Sequence, residues 1–418
     1  MIRARFFSVD AITDLHLALR PLGFPPPAAS FVAGSLSQGH LLLSGLGKEA
    51  SDLLRQLCQR PDMPRLTEGA RDGAFLISGL LGQIKVIGSG LQGRPEVEGA
   101  FYAGGKVLSA CFHAGAHAEP VRIGHLEAGA GRTLIMGVLN VTPDSFSDGG
   151  RFQEPAAALA QARALVDAGA DILDVGGEST RPKGTYGEGW KPLSAEEERE
   201  RVEPVVRAIA AELPGVAISV DTSRAEVAAP AIDAGACLVN DVRGLADDAL
   251  AEVVRRTEVA ACLMHMPAEP DVMQSPEATS YEDVVAQVAD GLLERVEAAR
   301  NRRISPERLL VDPGIGFGKT AAQNLFLLRN LSLLGASVGR PLLVGTSRKN
   351  FLGQVTGRQV GERDAATAAS VVAAILGGAA VVRVHDAAAC KDAVQGADAV
   401  ARAEEGGEFF SEPESGWD

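Results

Sequence analysis

From Thr133 onward, short apolar runs alternate with longer segments rich in Ala, Glu and Arg. Each run has the length and β-branched content of a buried strand, and each following segment has the length of a helix. The pattern predicts strands at Thr133–Asn140, Asp171–Gly176, Ala217–Asp221, Cys237–Asp241, Ala261–His265, Leu309–Asp312, Leu342–Gly345 and Ala380–His385. The helices predicted to follow them are Pro155–Asp167, Ala195–Leu213, Arg224–Ala234, Asp247–Thr257, Tyr281–Arg303, Ala321–Leu334, Arg363–Leu376 and Ala387–Arg402.

Strands separated by helices of this length form right-handed parallel units, and eight in succession predict an α/β fold, a closed (β/α)8 TIM barrel. Residues at the helix ends agree with the pattern. Ser194 precedes three glutamates, as a helix N-cap does. Glycines fall where helices are predicted to stop, at Gly169, Gly235 and Gly335. Prolines lie inside two predicted helices, where we expect kinks, at Pro204 and Pro230.

Residues 1–125 lack this alternation and predict a smaller N-terminal domain of unknown role. The segment Ala50–Gln59 predicts an amphipathic helix, and apolar runs predict strands at Ile2–Val9, Phe75–Leu80 and Phe101–Leu108. These elements indicate an α+β module. We expect the boundary within the Gly/Ala-rich stretch Ala114–Gly131, with the barrel over residues 126–403. Residues 404–418 are acidic and contain Gly, Ser and Pro, which predicts a disordered tail.

The charge of the chain limits the partners that it can bind. A net charge of −14 and a pI near 5.1 argue against a broad surface for nucleic acid or anionic membranes. No apolar run is long enough to span a bilayer, and Asp10 and Asp14 interrupt the N-terminus before a signal-peptide core forms. The 5 cysteines show no metal or redox spacing. We therefore expect a cytoplasmic protein with reduced thiols.

Almost every predicted strand ends in a side chain that hydrogen-bonds or ionises. These residues are Asn140, Asp174 with Glu178, Asp221, Asn240 with Asp241, His265, Asp312, the group Ser347, Arg348 and Lys349, and Arg383 with His385. At a single strand, such a residue often only marks where the strand stops. A whole ring of them is harder to explain in this way, because Gly, Ser or Thr would serve folding equally well. In TIM barrels the C-terminal strand ends build the active site.

The side chains sort into two kinds. Acceptors suit the donor edge of a flat nitrogen heterocycle, and they follow strands three, four and six at Asp221, Asn240 and Asp312. Cationic or protonatable groups follow strands seven and eight, where TIM barrels commonly bind phosphate, at Lys349, Arg383 and His385. The sequence therefore predicts a site for a heterocycle that carries phosphate.

Two glycine-bearing segments resemble other motifs but lack a required glycine. Pro313–Thr320 resembles a Walker A loop with Pro in the place of the first Gly. Gly345–Lys349 resembles a nucleophile elbow without its closing Gly. Both are interpreted as loops of the barrel mouth. Zinc-binding spacing is absent, whereas a weakly held Mg²⁺ shared with substrate phosphates would leave little trace in the sequence.

A family resemblance agrees with this interpretation. Leu134–Gly150 reads LIMGVLNVTPDSFSDGG and resembles the first signature of dihydropteroate synthases, and Asp174–Pro182 reads DVGGESTRP and resembles the second. Further matching segments follow in order at Ser219–Thr222, Asn240–Asp241, Leu263–Met266, Asp312–Lys319, Ser347–Lys349 and Arg383–His385. The resemblance extends from Leu134 to about His385.

The resemblance implies a transferase of folate biosynthesis and a target of sulfonamides. Its reaction condenses 6-hydroxymethyl-7,8-dihydropterin diphosphate with p-aminobenzoate to give 7,8-dihydropteroate and diphosphate. It further implies Mg²⁺ as cofactor, small-molecule substrates rather than nucleic acid or membrane, and a homodimer formed through the barrel.

The resemblance also implies roles for individual residues. Pterin would be held by Asp221, Asn240, Met264, Asp312, Phe317 and Lys349. Diphosphate would be held by Asn140, Arg383 and His385, with Asn140 beside the Mg²⁺. The p-aminobenzoate would lie near Thr180, Arg181, Pro182, Phe317 and Ser347. The chemistry would depend most on Asp221, Lys349, Arg383 and His385. Two mobile loops would close the site, Asp144–Phe152 (with Asp144, Ser145 and Phe146) and Ser179–Trp190.

Two alternatives stay open at this point. A methyltetrahydrofolate-dependent corrinoid methyltransferase shares the acidic pterin pocket, but it would not need the cations after strands seven and eight or the Thr-Pro-Asp-Ser-Phe loop. A non-catalytic pterin-binding barrel should show gaps in the cation group or the loops, and the sequence has none. Nothing in residues 1–125 decides the role of the N-terminal domain.

Overall fold

The structure is a computed structural model that describes residues 3–8, 38–44, 48–59, 65–69, 75–80, 119–141, 154–177, 193–268 and 272–403. The chain divides into two compact units, Met1–His117 and Ala118–Asp418. Within the described residues, no helix is long and apolar enough to cross a membrane.

In its described residues, the first unit contains a four-stranded antiparallel sheet and one helix. The strands are β1 (Arg3–Ser8), β2 (Gln38–Ser44), β3 (Arg65–Glu68) and β4 (Phe75–Leu80), in the order β1-β2-β4-β3, and α1 spans Lys48–Cys58. The predicted α+β class and the strands at residues 3–8 and 75–80 are confirmed. β2 and β3 were not predicted, because their ends are polar and β3 has only 4 residues. The predicted strand Phe101–Leu108 lies outside the described residues.

The second unit is the predicted closed barrel of eight parallel strands, in which the last strand pairs with the first. Two short strands, β5 (Val121–Ile123) and β6 (Leu126–Ala128), precede the barrel in the chain. The barrel strands are β7 (Leu134–Asn140), β8 (Ile172–Gly176), β9 (Ala217–Asp221), β10 (Leu238–Asp241), β11 (Ala260–Met264), β12 (Leu309–Asp312), β13 (Leu342–Val344) and β14 (Ala379–Val384). The helices are α2 (Glu154–Asp167), α3 (Ala195–Glu212), α4 (Ala225–Asp233), α5 (Asp248–Thr257), α6 (Val284–Asn301), α7 (Ala321–Arg329), α8 (Leu331–Val338), α9 (Asn350–Thr356), α10 (Asp364–Leu376) and α11 (Ala387–Ala401).

A small hairpin closes the N-terminal end of the barrel. Its strands, β5 (Val121–Ile123) and β6 (Leu126–Ala128), are antiparallel, and its inward side chains pack against the first residues of the barrel strands. Val121 and Ile123 are fully buried there. The predicted boundary between residues 125 and 126 falls inside this hairpin. Because the segment is rich in Gly and Ala, its composition resembles a linker and conceals the period-two pattern of two three-residue strands.

Helix ends follow the predicted chemistry with one exception. Ser194 and Glu197 form a reciprocal capping box at the start of α3, and Gly169 and Gly235 adopt positive φ after helices. The prediction that Ala321–Leu334 is one helix ending at Gly335 is wrong.

Two helices occupy Ala321–Leu334, because Asn330 leaves the helical conformation (φ −107°, ψ 23°). The side-chain Nδ2 of Asn330 donates to the Phe326 carbonyl at 2.8 Å. Gly335 lies inside α8, where an added Cβ would lie 3.2 Å from Cδ1 of Leu342. Its role is therefore close packing of α8 on β13, and α8 ends instead at Gly339 (φ +66°). The short helix α9 was not predicted.

Candidate active site

Strand register places several polar side chains at one level of the barrel mouth. Asn140 pairs with Gly176, which pairs with Asp221, which in turn pairs with Asn240. An added Cβ at Gly176 would lie 3.7 Å from Oδ2 of Asp221 and 3.8 Å from Oδ1 of Asn140. The side-chain oxygens of Asn140 and Asp221 therefore lie close to the same glycine, between β7 and β9.

A buried ionic network crosses the mouth. Nε of Arg383 donates to Asp174 at 2.6 Å, and its Nη2 donates to Asp221 at 2.8 Å. Asp174 is fully buried and also accepts from Nδ2 of Asn240 at 3.0 Å and from Oγ of Ser219 at 2.6 Å. Strands β8, β9, β10 and β14 are therefore tied together at the level of the site.

The carboxyl group of Asp221 has an altered acidity. Burial, together with the nearby charge of Asp174, raises the pKa of Asp221 to about 7, while the Arg383 guanidinium opposes this rise. The ionised form of Asp221 therefore depends on its cationic neighbour. An acceptor of this kind suits an N–H donor of a bound heterocycle.

Asp312 holds the turn of the next loop. It is buried, and its Oδ1 accepts from the Gly314 N–H at 2.7 Å. Gly314 has φ +66°, and an added Cβ would lie 2.0 Å from the His265 carbonyl oxygen, so only glycine fits here. Burial raises the pKa of Asp312, and Lys349 opposes this change. The second oxygen of Asp312 has no role in the turn.

Lys319, the lysine of the Walker-like segment, is directed into the protein. Its Nζ donates to the carbonyls of Gly314 and Phe317, each at 3.0 Å, and lies 3.2 Å from Nδ1 of His265. Burial lowers the pKa of Lys319 to about 7 and that of His265 to about 2. Lys319 therefore stabilises the loop from behind, and His265 contacts this lysine as a neutral ring.

One wall of the mouth is apolar and carries a cation. Met264, Met266 and Met273 form a buried cluster against which Phe317 packs. Nζ of Lys349 lies 4.8 Å from the centre of the Phe317 ring and donates to the Ile315 carbonyl. Burial lowers the pKa of Lys349 to about 8, and Asp312 opposes this change.

The loop after β13 presents Ser347 beside His385. The Ser347 Oγ accepts from the His385 backbone N–H at 3.1 Å and lies 3.0 Å from its Nδ1. Behind the loop, the buried Arg363 guanidinium donates to the carbonyls of Arg348 and Lys349 at 3.1 and 3.2 Å. Arg348 adopts φ +57°, an uncommon conformation for a residue other than glycine. The Arg363 contacts therefore help to hold a strained loop.

The mouth thus combines an acceptor edge, an apolar wall and a group of cationic or protonatable side chains. The family model described as pterin binding enzyme matches residues 136–385. A dihydropteroate synthase from Synechocystis is 43% identical over 273 residues, which cover 65% of this chain and 91% of that protein.

This chain belongs to the dihydropteroate synthase family.

Solved structures of dihydropteroate synthases are similar to the chain as well. The Yersinia pestis enzyme in complex with a sulfonamide drug has 38% identity and a TM-score of 0.62, covering 68% of this chain and 100% of that one. The Xanthomonas albilineans enzyme in complex with 7,8-dihydropteroate has 39% identity and a TM-score of 0.60, with the same coverage. The family match lies within the second unit.

The structure brings together most residues that the synthase resemblance implied. Those at the mouth are Asn140, Asp221, Asn240, Met264, Asp312, Phe317, Ser347, Lys349, Arg383 and His385. The predicted residues Asp144, Ser145, Phe146, Thr180, Arg181 and Pro182, and the strand-end Glu178, lie outside the described residues. Asp241 serves its own loop instead, because it accepts from the N–H groups of Arg243 and Leu245 at 2.8 and 2.7 Å.

Sequence reasoning included Asp174 only among the polar strand-end residues, and it assigned no role to Lys319 or Arg363. For Asp174 a signal exists, since a carboxylate inside the apolar strand Ile172–Gly176 requires a buried partner. Lys319 was included in the resemblance only as part of a motif. Arg363 has no such signal, because it follows a polar loop and looks like a solvated residue.

Proposed function

We propose that this chain is a dihydropteroate synthase, a transferase that joins 6-hydroxymethyl-7,8-dihydropterin diphosphate to p-aminobenzoate. The observation that carries the proposal is the location of the acceptors Asp221, Asn240 and Asp312 in the same mouth as Lys349 and Arg383. Such a mouth can bind the donor edge of a pterin and an anionic leaving group together. Neither a corrinoid methyltransferase nor a non-catalytic barrel accounts for the cations.

The reaction is a displacement at the methylene carbon of the pterin. The bond from this carbon to the diphosphate oxygen breaks, and its electron pair leaves with the diphosphate. The amine nitrogen of p-aminobenzoate forms the new bond and loses a proton. An electron-rich dihydropterin stabilises positive charge on the methylene group, so no covalent enzyme nucleophile is required. The protein has to hold the ring, stabilise the leaving group and place the amine in line.

The pterin ring would lie between the acceptor edge and the wall formed by Met264 and Phe317. Its N–H groups would donate to Asn240, Asp221 and the second oxygen of Asp312. Lys349 would donate to an acceptor atom of the ring. Arg383 and His385 would bind the diphosphate, for which the planar guanidinium is well suited.

Mg²⁺ fits the donor set at this end of the barrel. Oδ1 of Asn140, at the end of β7 beside Gly176, is a hard oxygen atom of the kind that Mg²⁺ prefers. Clusters of three or more His, Cys, Asp or Glu that could bind a metal are absent from the described residues. When bound, Mg²⁺ would neutralise charge on the leaving diphosphate. Excess EDTA should therefore abolish turnover, and undiminished turnover would contradict this assignment.

The p-aminobenzoate would bind next to Phe317 and Ser347, which are within the described part of the mouth. Thr180, Arg181 and Pro182 remain predicted contacts for it. Ser347 is already oriented by the backbone N–H of His385 at 3.1 Å. Replacement of Ser347 by Ala should therefore raise the KM for p-aminobenzoate more than the KM for the pterin substrate.

We further propose that the chain forms a homodimer through the barrel. Four apolar side chains on α7, α9, α10 and the turn before α10 are exposed: Leu325, Val355, Val360 and Leu376. α7 packs against both α9 and α10, so three of these side chains are on helices that pack together. Val355→Asp should shift the sedimentation coefficient to that of a monomer, whereas an unchanged coefficient would exclude this face.

The cytoplasmic location stays a prediction, to be checked by cell fractionation.

Genetic complementation tests the proposed function in a cell. A bacterium that lacks its own dihydropteroate synthase should grow without supplied folate end-products when it expresses this chain. The Arg383→Ala variant, expressed to the same level, should not support growth. Failure of the wild-type chain to restore growth, despite soluble expression, would contradict the proposal.

A further inference from the structure

The fully buried carboxylate of Asp174 lies beneath the site and reaches two of its functional groups at once. Its Oδ2 accepts from Nδ2 of Asn240 at 3.0 Å and from Nε of Arg383 at 2.6 Å. Its Oδ1 accepts from Oγ of Ser219 at 2.6 Å. One carboxylate therefore contacts a proposed pterin ligand and a proposed diphosphate ligand, with no exposure of its own.

The contact with Asn240 determines which way its amide is turned. An ionised carboxylate only accepts hydrogen bonds, so the amide must direct its NH2 group towards Asp174. The opposite orientation would place two oxygen atoms against each other. Oδ1 of Asn240 is therefore left to accept a hydrogen bond from a ligand. In this way Asp174 determines that Asn240 selects a donor on the heterocycle.

The contact with Arg383 determines the plane of its guanidinium. The group has five N–H bonds in a rigid plane, and the bonds to Asp174 and Asp221 occupy two of them from different nitrogen atoms. Two fixed points on a planar group leave little rotation. The remaining N–H bonds are then directed from a defined position towards an anion.

We propose that Asp174 is a positioning residue that sets both the amide orientation of Asn240 and the guanidinium plane of Arg383. This role rests on the proposed synthase function. It links the pterin and diphosphate subsites, because the loss of one buried carboxylate would disturb both. Asp174 acts through hydrogen bonds from below the site and does not touch the substrate.

The first test compares pterin with lumazine, which has a carbonyl oxygen where pterin has its 2-amino donor. Binding of 6-hydroxymethylpterin and 6-hydroxymethyllumazine is measured by calorimetry. We expect Oδ1 of Asn240 to accept from the 2-amino group, so wild type should prefer the pterin strongly, because an acceptor rejects a second acceptor. In Asp174→Ala the Asn240 amide can rotate and donate, so the preference should fall at least tenfold. Inorganic diphosphate should also bind at least tenfold more weakly to this variant.

Asp174→Asn tests whether hydrogen bonds rather than charge carry the effect. The new amide can keep its oxygen towards Asn240 and Arg383 and turn its NH2 towards Ser219, whose hydroxyl can accept instead. This variant should therefore keep the pterin preference and the diphosphate affinity within about threefold of wild type. A matched control is Glu198→Ala, which removes another buried carboxylate, one that bonds Thr222 at 2.7 Å and pairs with Arg224. It should lower the unfolding temperature without changing the preference.

The outcomes separate this proposal from the proposed function. If wild type does not turn over pterin diphosphate and p-aminobenzoate, the synthase function itself fails. If wild type turns over and folded Asp174→Ala keeps both the preference and the diphosphate affinity, the positioning role is wrong. Should Asp174→Ala not fold, Asp174→Asn decides. Retention of both properties supports the role, and loss of more than tenfold in either, at an unchanged unfolding temperature, overturns it.

Discussion

Replacing Asp312 by asparagine changes the pterin edge of the site with almost no change in shape. Asp312 is buried at the end of β12, and its Oδ1 accepts from the Gly314 N–H at 2.7 Å. An asparagine can keep this bond with its own oxygen. Its NH2 group would then replace the oxygen that we expect to accept from the pterin. The NH2 group of the asparagine and the N–H group of the pterin would then meet in a buried site, and neither donor would have an acceptor.

The magnitude follows from the cost of an unpaired buried donor. That cost is about 1–3 kcal/mol, and each ~1.4 kcal/mol corresponds to a tenfold change in affinity. Asp312→Asn should therefore weaken pterin binding roughly 5- to 150-fold. Asp312→Ala should weaken it by tenfold or more and should also lower the unfolding temperature, because it leaves the Gly314 N–H without its acceptor.

Calorimetric titration of wild type and both variants with the pterin substrate measures this effect. A useful control is Asp247→Asn, because Asp247 caps α5 through the Leu250 N–H at 2.8 Å and asparagine is an equally good N-cap. That variant should keep both its affinity and its unfolding temperature. Pterin affinity that is unchanged in folded Asp312→Asn would refute the assignment of Asp312 to the acceptor edge.

Further predictions concern acidity, packing and the extent of the catalytic unit. Pterin affinity should fall as pH rises through about 8, because Lys349 then loses the proton that it donates, and calorimetry with Lys349→Met should show no such fall. Gly353→Ala should lower the unfolding temperature and the synthase rate, because its Cβ would lie 2.2 Å from Nη2 of Arg363. A shortened chain that starts at Ala118 should keep synthase activity, whereas one that starts at Gly131 lacks the buried hairpin and should unfold at a lower temperature.

A control for the Gly353 experiment comes from the same chain. Gly361→Ala places its Cβ in open space, so it should behave as wild type. Loss of the hairpin removes the fully buried Val121 and Ile123. The burial of each side chain contributes about 1.5–3 kcal/mol to the free energy of unfolding. A steep fall of affinity above pH 8 in Lys349→Met, normal stability of Gly353→Ala, or an inactive but folded chain from Ala118 would each contradict the corresponding argument.

The barrel could be predicted from the sequence because each strand is a short apolar run that ends in a polar residue. The same rule placed Asp221, Asn240, Asp312 and Arg383 at one mouth. It could not predict that Arg383 pairs with Asp174 and Asp221. These pairs cross the barrel, and their existence depends on strand register and side-chain length rather than on any local pattern.

Errors in the prediction have local physical causes. The hairpin over Val121–Ala128 was concealed by a composition rich in Gly and Ala. The break between α7 and α8 depends on one side-chain bond from Asn330, which competes with the helical backbone. Lys319 was within a familiar loop pattern. Its direction into the protein follows from two carbonyl oxygens and one imidazole nitrogen, which lie around its Nζ only in the folded loop.

The most direct test of the proposed synthase function is the release of diphosphate by the purified full-length chain. The protein is incubated with 6-hydroxymethyl-7,8-dihydropterin diphosphate, p-aminobenzoate and Mg²⁺, and diphosphate and 7,8-dihydropteroate are followed together. We predict that the two products form in equal amounts, and that neither forms when p-aminobenzoate is omitted or Arg383 is replaced by Ala. Diphosphate release at the same rate without p-aminobenzoate, or no product from correctly folded wild-type protein, would contradict the account.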